Sequence, residues 1–229
     1  MHSKPSVWYE ARLTLSLTAL LPVLWLPFFV LIRWLLARDT GYPVDLSEAM
    51  PAFEIILPLS AGLAAAHLMS IEQDAGFDEL YRSYPQPAWR LPLLRTCAAF
   101  FITAAALLLG CTSYALAFGV FPLQTAITVA LPPALFLIGL SLLVNHLSGS
   151  YWASAGAVMA YWFLELATGG QVTGMLFLFS GTWPQHNVSF SLNRWLLAVI
   201  GLLFLAVNAW VYARRTGWQV LWSGELADR

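Results

Sequence analysis

Lysine is nearly missing from this chain: Lys4 is the only one among 229 residues. A phosphate-binding loop closing on Gly-Lys-Ser/Thr is therefore excluded, and any ATP used on its behalf is hydrolysed by another chain. Cysteine is almost as scarce. Cys97 and Cys111 fall on one predicted helix, fourteen residues apart or about 21 Å along its axis, too far to bond to each other. No disulfide framework or zinc site is implied, and no His-Glu-x-x-His pair occurs. The last apolar run, which includes 194–213, has no histidine, so a serine nucleophile with an embedded base finds no support. Charge is thin too. Only 10% of residues are charged and 59% are hydrophobic, whereas about a quarter are charged in a soluble domain. With a net charge of −1 and no basic face, nothing here addresses nucleic acid.

What remains is long apolar sequence, with a mean hydropathy of +0.70. A helix needs roughly 20 residues to cross a hydrocarbon core of about 30 Å. By that measure six spans are predicted, at about 13–37, 51–70, 97–120, 124–147, 151–169 and 194–213. Runs such as 104–109 and 196–206 are apolar on every face, which excludes alternating barrel strands. The first run is longer than the core of a signal peptide and carries Arg33, so it reads as a span. The expected fold is an all-α membrane protein of one domain, residues 1–229. Basic residues set its orientation. With the N-terminus inside, Lys4, Arg12, Arg82, Arg90, Arg95, Arg214, Arg215 and Arg229 face the cytoplasm, against Arg33, Arg38 and Arg194 outside. Both termini are thus expected in the cytoplasm, in a multi-pass protein of a cell (plasma) membrane.

Residues 1–12, with Trp8, Tyr9 and Arg12, suit an interfacial helix. Ser60/Ala64 and Gly62/Ala66 in the second span, and Ala153/Ala157 and Gly156/Ala160 in the fifth, form small-residue stripes at four-residue spacing. Such stripes let helix backbones approach closely, within one chain or between subunits. Pro132 and Pro133 fall inside the fourth span, because a helix starting at them would be too short to cross. Residues 170–193 form a longer outer segment, in which apolar Met175–Phe179 is expected to dip into the outer interface before the last span.

Arg33, Glu54 and Glu165 lie within spans about one turn from the outer end, and Arg194 stands at the mouth of the last one. Ionisable groups at that depth are costly and commonly pair. The four together read either as ion pairs stapling helix ends or as an outer gate. His67 and His146 sit at similar depth near the inner ends of two spans, so a haem-binding or redox subunit is the alternative class, with interfacial histidines the commoner case. A structural subunit of a larger membrane complex is the third.

The densest charge lies at 72–85, between the second and third spans. Phe77, Leu80, Tyr81 and Tyr84 recur at i, i+3, i+4 and i+7, one face of an amphipathic helix, with Glu72, Asp78, Glu79 and Arg82 mostly off it. An acidic helix is repelled by the anionic inner leaflet and suits a protein partner better. The pattern Glu72, Gly76, Glu79, Leu80, Ser83, Pro85, followed by Trp89-Arg90, resembles the cytoplasmic segment after span two in the membrane subunits of type-2 ABC transporters. Phe77 stands where that family often has threonine, and Tyr84 where it has an aliphatic residue, which would reshape the surface there.

The resemblance implies a permease subunit without catalytic or cofactor-binding residues of its own, with ATP and magnesium held by separate cytoplasmic ABC ATPase subunits. It implies pairing with a second copy or a similar permease, and 72–84 as the coupling helix seated on the ATPase. It further implies export of an amphiphilic substrate from a bacterial cell, along a pathway lined largely by spans two and five.

Overall fold

The computed structural model describes residues 20–40, 50–70, 90–184 and 188–226, and every regular element in them is helical. The proposed interfacial helix at 1–12 and the coupling helix at 72–85 lie outside the described residues. Six long helices follow one another: α1 (Leu21–Thr40), α2 (50–70), α3 (Arg90–Phe118), α4 (Leu123–Ser148), α5 (Tyr151–Thr168) and α6 (Phe190–Leu226). Five of them are long and apolar enough to cross a membrane, the build of a multi-pass membrane protein. The exception is α5, whose 18 residues include Tyr151, Trp152, Tyr161, Trp162 and Glu165.

Local sequence accounts for the helix ends. Gly149 closes α4 in the left-handed conformation (φ 61°), where a side chain would be strained. Ser150 is extended, and its hydroxyl accepts from the Ala153 N–H to start α5. Gly169 ends α5 in the same way (φ 57°). α4 runs through Pro132 and Pro133, as the length argument requires.

α2 and α4 form the centre. One core cluster joins α1, α2, α3 and α4 around Leu26, Phe53, Leu57 and Cys111. A second joins α2, α3 and α4 around Leu68, Ile102 and Ile138. A third joins α2, α4, α5 and α6 with the α5–α6 connection, around Leu137, Val158, Phe177 and Leu197. The spanning stretch of α2 is 78% buried, against 17% for α1 and 22% for α6, so α2 is the inner helix and α1 and α6 are peripheral. The exposed faces of the peripheral pair carry Trp25, Phe28, Leu31 and Leu35 on one and Trp195, Val199, Leu202 and Trp210 on the other. A continuous apolar surface of this kind belongs against hydrocarbon rather than water.

The two small-residue stripes have different fates. On α2, Ser60, Gly62, Ala64 and Ala66 are all buried. A Cβ on Gly62 would stand 2.9 Å from the Val158 side chain and 3.1 Å from that of Leu137, so this stripe seats α4 and α5 within one chain. On α5, Ala153, Gly156 and Ala160 face outward, and a Cβ on Gly156 would meet nothing within 4 Å.

Candidate functional site: a buried polar cluster at the α5–α6 connection

α2 begins irregularly. Ala52–Ile56 is a π-helical turn containing Glu54. Pro58, four residues on, cannot donate to the helix ladder and its ring crowds the carbonyl of Glu54; the wider turn relieves that conflict. The Trp162 indole N–H from α5 donates to the Ile55 carbonyl at 3.0 Å, tying α5 to this turn.

The turn places Glu54 at full burial. Its Oε1 accepts from the Gly181 N–H at 2.7 Å and from Arg194 Nη2 of α6 in an ion pair. Its Oε2 accepts from the Thr182 N–H at 2.6 Å and the Thr182 hydroxyl at 2.5 Å. A Cβ at Gly181 would stand 3.0 Å from Glu54 Oε1, so any side chain there would have to push the carboxylate back by a few tenths of an ångström. Arg194, itself buried, also donates through Nη1 to the Leu178 carbonyl at 3.0 Å. A buried ion pair is tolerable only when further hydrogen bonds occupy its remaining positions, and these donors and acceptors occupy all but Arg194 Nε.

Neighbouring side chains extend the cluster. Asn193 Nδ2 donates to the carbonyls of Met175 and Phe177 at 2.8 and 2.9 Å, and its Oδ1 accepts from the Ser180 hydroxyl at 2.7 Å. The Tyr161 hydroxyl donates to the Leu176 carbonyl at 3.1 Å. Glu165, on the last turn of α5, accepts from the Leu178 N–H at 3.2 Å through Oε2. The connection is therefore held by side chains of α2, α5 and α6. Between those bonds Phe177, Leu178 and Phe179 are fully buried among α4, α5 and α6. The apolar run expected to dip into the outer interface is packed on protein, where Glu165, Asn193 and Arg194 give partners to the backbone of Phe177 and Leu178.

Asn193→Ala should lower stability by about 1–3 kcal/mol by stranding the two carbonyls and the Ser180 hydroxyl. Thermal unfolding in detergent, followed by tryptophan fluorescence, checks this; an unchanged midpoint would mean that these bonds are replaced by solvent.

Of the four charges singled out in the sequence, the structure joins Glu54 with Arg194. Glu165 is tied to the same connection through Leu178 rather than to a cation. Arg33 lies half-buried on α1, while the bonds of Glu54 go to α6 and the connection. Asn193, Thr182, Trp162 and Tyr161 escaped notice in the sequence. The signal available was Asn193 directly before Arg194, two polar residues inside the first turns of an apolar helix. Near the opposite end of α2, His67 packs edge-on to Tyr151, with ring centroids 6.2 Å apart. Asn145 Nδ2 there donates to the Ala66 carbonyl at 3.3 Å, and the Ser141 and Ser154 hydroxyls meet at 2.9 Å between α4 and α5.

No family model matches this chain, and neither the curated proteins nor the solved structures contain a match to it.

Proposed function

We propose that this chain is the permease subunit of an ABC exporter, driven by separate cytoplasmic ATPase subunits. The observation that carries the reading is the pattern Glu72, Gly76, Glu79, Leu80, Ser83, Pro85 between two apolar helices, in a chain without a phosphate-binding lysine of its own. The helical bundle supports it: α2 ends at Ser70 and α3 begins at Arg90, leaving that segment as the connection between two helices able to span. In this reading α5 crosses as the sixth span, its aromatic and acidic residues turned to protein neighbours and to a second subunit. The α5–α6 connection re-enters the outer half of the membrane, and both termini are cytoplasmic.

The buried polar cluster then acts as a rigid outer closure. α2, the inner helix, leads at one end to the coupling segment and carries at the other the carboxylate that pins the closure. A push on 72–84 would be transmitted along that helix to Glu54. The outward stripe of Ala153, Gly156 and Ala160 on α5 supports pairing with a second permease, since small residues suit close approach of another helix.

The test is co-purification with candidate ATPase subunits and measurement of ATP hydrolysis in the complex. Gly76→Trp or Glu79→Arg should abolish ATPase binding or at least its stimulation, with the permease still folded. Unchanged binding and hydrolysis in both variants would refute the coupling-helix assignment.

A further inference from the structure

Three consecutive residues of the π-helical turn at Ala52–Ile56 are held from three sides. Phe53 is buried in the cluster shared by α1, α2, α3 and α4, where a Cβ on Gly110 of α3 would stand 3.1 Å from its ring. Glu54 is turned instead to the α5–α6 connection and to Arg194 of α6. The Ile55 carbonyl takes the indole N–H of Trp162 from α5 at 3.0 Å. A proline does not by itself produce such a turn, because α4 runs through Pro132 and Pro133 as unbroken α-helix. What distinguishes α2 is that other elements grip the turn that precedes Pro58.

We infer that this turn is a register device with two settings, in which Pro58 and Trp162 are the positioning residues for Glu54. In the π form the wider turn holds one residue more than the α turn it replaces, and Glu54 faces Gly181, Thr182 and Arg194. In the α form that extra residue is taken up, and Glu54 swings off its partners and frees the connection. Helix geometry gives the size of the change. Absorbing one residue turns the chain before it by up to about 100° and shifts it by about 1.5 Å relative to the body of α2. Glu54, inside the turn, follows part of the way. At about 5–6 Å from the helix axis, even half that rotation moves its carboxylate by several ångströms. Bonds of 2.5–2.7 Å to Gly181 and Thr182 do not survive such a displacement.

The contacts on the page all favour the π setting. Pro58 has no N–H for the Glu54 carbonyl and its ring crowds that carbonyl in the α form. Trp162 latches the next carbonyl from outside the helix, and the partners of Glu54 hold its side chain. Weakening either positioning residue therefore moves the turn toward the α setting. The device rests on α2 and its neighbours, and it stands whether or not the chain is a permease.

The test is amide hydrogen exchange of the full chain in lipid nanodiscs, read by mass spectrometry with electron-transfer fragmentation. Pro58→Ala restores the missing donor, so the amides of 53–57 should exchange more slowly as the turn closes. Those of Gly181 and Thr182 should exchange about tenfold faster in the same variant, having lost a charged acceptor. Changes of opposite sign at the two places are what a merely structural role would not give. Trp162→Phe keeps the ring and removes the donor, and should likewise speed exchange at Gly181 and Thr182 while leaving Leu59–Leu68 unchanged. Ser154→Ala is the control, since it removes a bond between α4 and α5 away from the turn and should leave Gly181 and Thr182 protected. If Pro58→Ala fails to fold, Trp162→Phe against this control decides. Unchanged exchange at Gly181 and Thr182 in either folded variant, or faster exchange at 53–57 in Pro58→Ala, would overturn the proposal. So would a loss of protection spreading through Leu59–Leu68, or an equal rise at Gly181 and Thr182 in Ser154→Ala, since both mark general loosening.

Discussion

Glu54→Ala should destabilise the chain by about 3–5 kcal/mol, because it leaves a buried guanidinium without its counter-charge. The Gly181 and Thr182 N–H groups and the Thr182 hydroxyl lose their acceptor in the same step. Arg194→Ala should be comparably costly, since the carboxylate is then the uncompensated charge. The double variant is the informative one. Removing both charges should recover part of the loss, with a coupling energy of about 0.5–3 kcal/mol. Recovery stays incomplete because the backbone donors of the connection and the Leu178 carbonyl remain stranded. Unfolding midpoints of the four proteins in one detergent give the cycle. Strict additivity would mean that the two side chains do not act on each other.

The second large effect concerns the seam between α4 and α6. A Cβ on Gly139 would stand 2.6 Å from the Gly201 carbonyl oxygen and 3.0 Å from Phe204 Cβ. A Cβ on Gly201 would stand 2.8 Å from the Leu135 carbonyl carbon and oxygen. The Gly201 and Leu135 obstacles are backbone, which cannot swing aside as a side-chain tip can. Alanine at either position should cost about 1–3 kcal/mol, as overpacking of a close-packed core does, and leucine more. The damage should reach the polar cluster, because moving α6 displaces Asn193 and Arg194 from their partners. Loss of stability in Gly139→Leu should therefore be accompanied by altered fluorescence from Trp183, which borders the connection.

Gly156→Ala is the natural control. Its added methyl meets open space within this chain, so unfolding of the isolated protein should be unchanged or slightly improved by reduced backbone freedom. If the α5 stripe meets a second copy of the chain, the same substitution should instead weaken association in a cross-linking or sedimentation assay.

Much of the helical frame was legible from composition and local chemistry. Apolar runs placed most of the helices, the break between the runs 124–147 and 151–169 placed the turn between α4 and α5, and span length forced α4 through Pro132 and Pro133. The same reasoning singled out Glu54, Glu165 and Arg194 as buried charges. It did not find their arrangement. Hydropathy gives depth along a span but says nothing about the direction in which a side chain points around its helix axis. Arg33 was grouped with the others on depth alone, whereas Glu54 selected Arg194, 140 positions away.

The π-turn at Ala52–Ile56 was equally hidden, since Pro58 announces a disturbance in the ladder but not which way the turn will rotate Glu54. Likewise the stripes on α2 and α5 look alike as sequence. Only packing made one an internal seam and left the other facing outward.

Sequence alone thus determined that this is a chain of long apolar helices without a Gly-Lys-Ser/Thr phosphate-binding loop, because solvation by hydrocarbon and the scarcity of lysine depend on residue type and run length. Tertiary structure decided that α2 is the inner helix, that the α5–α6 connection is folded into protein, and that one buried acid is paired while the other is not. Those outcomes depend on which helices meet and through which faces, a choice made by close packing and by the demand that each buried polar group find a partner.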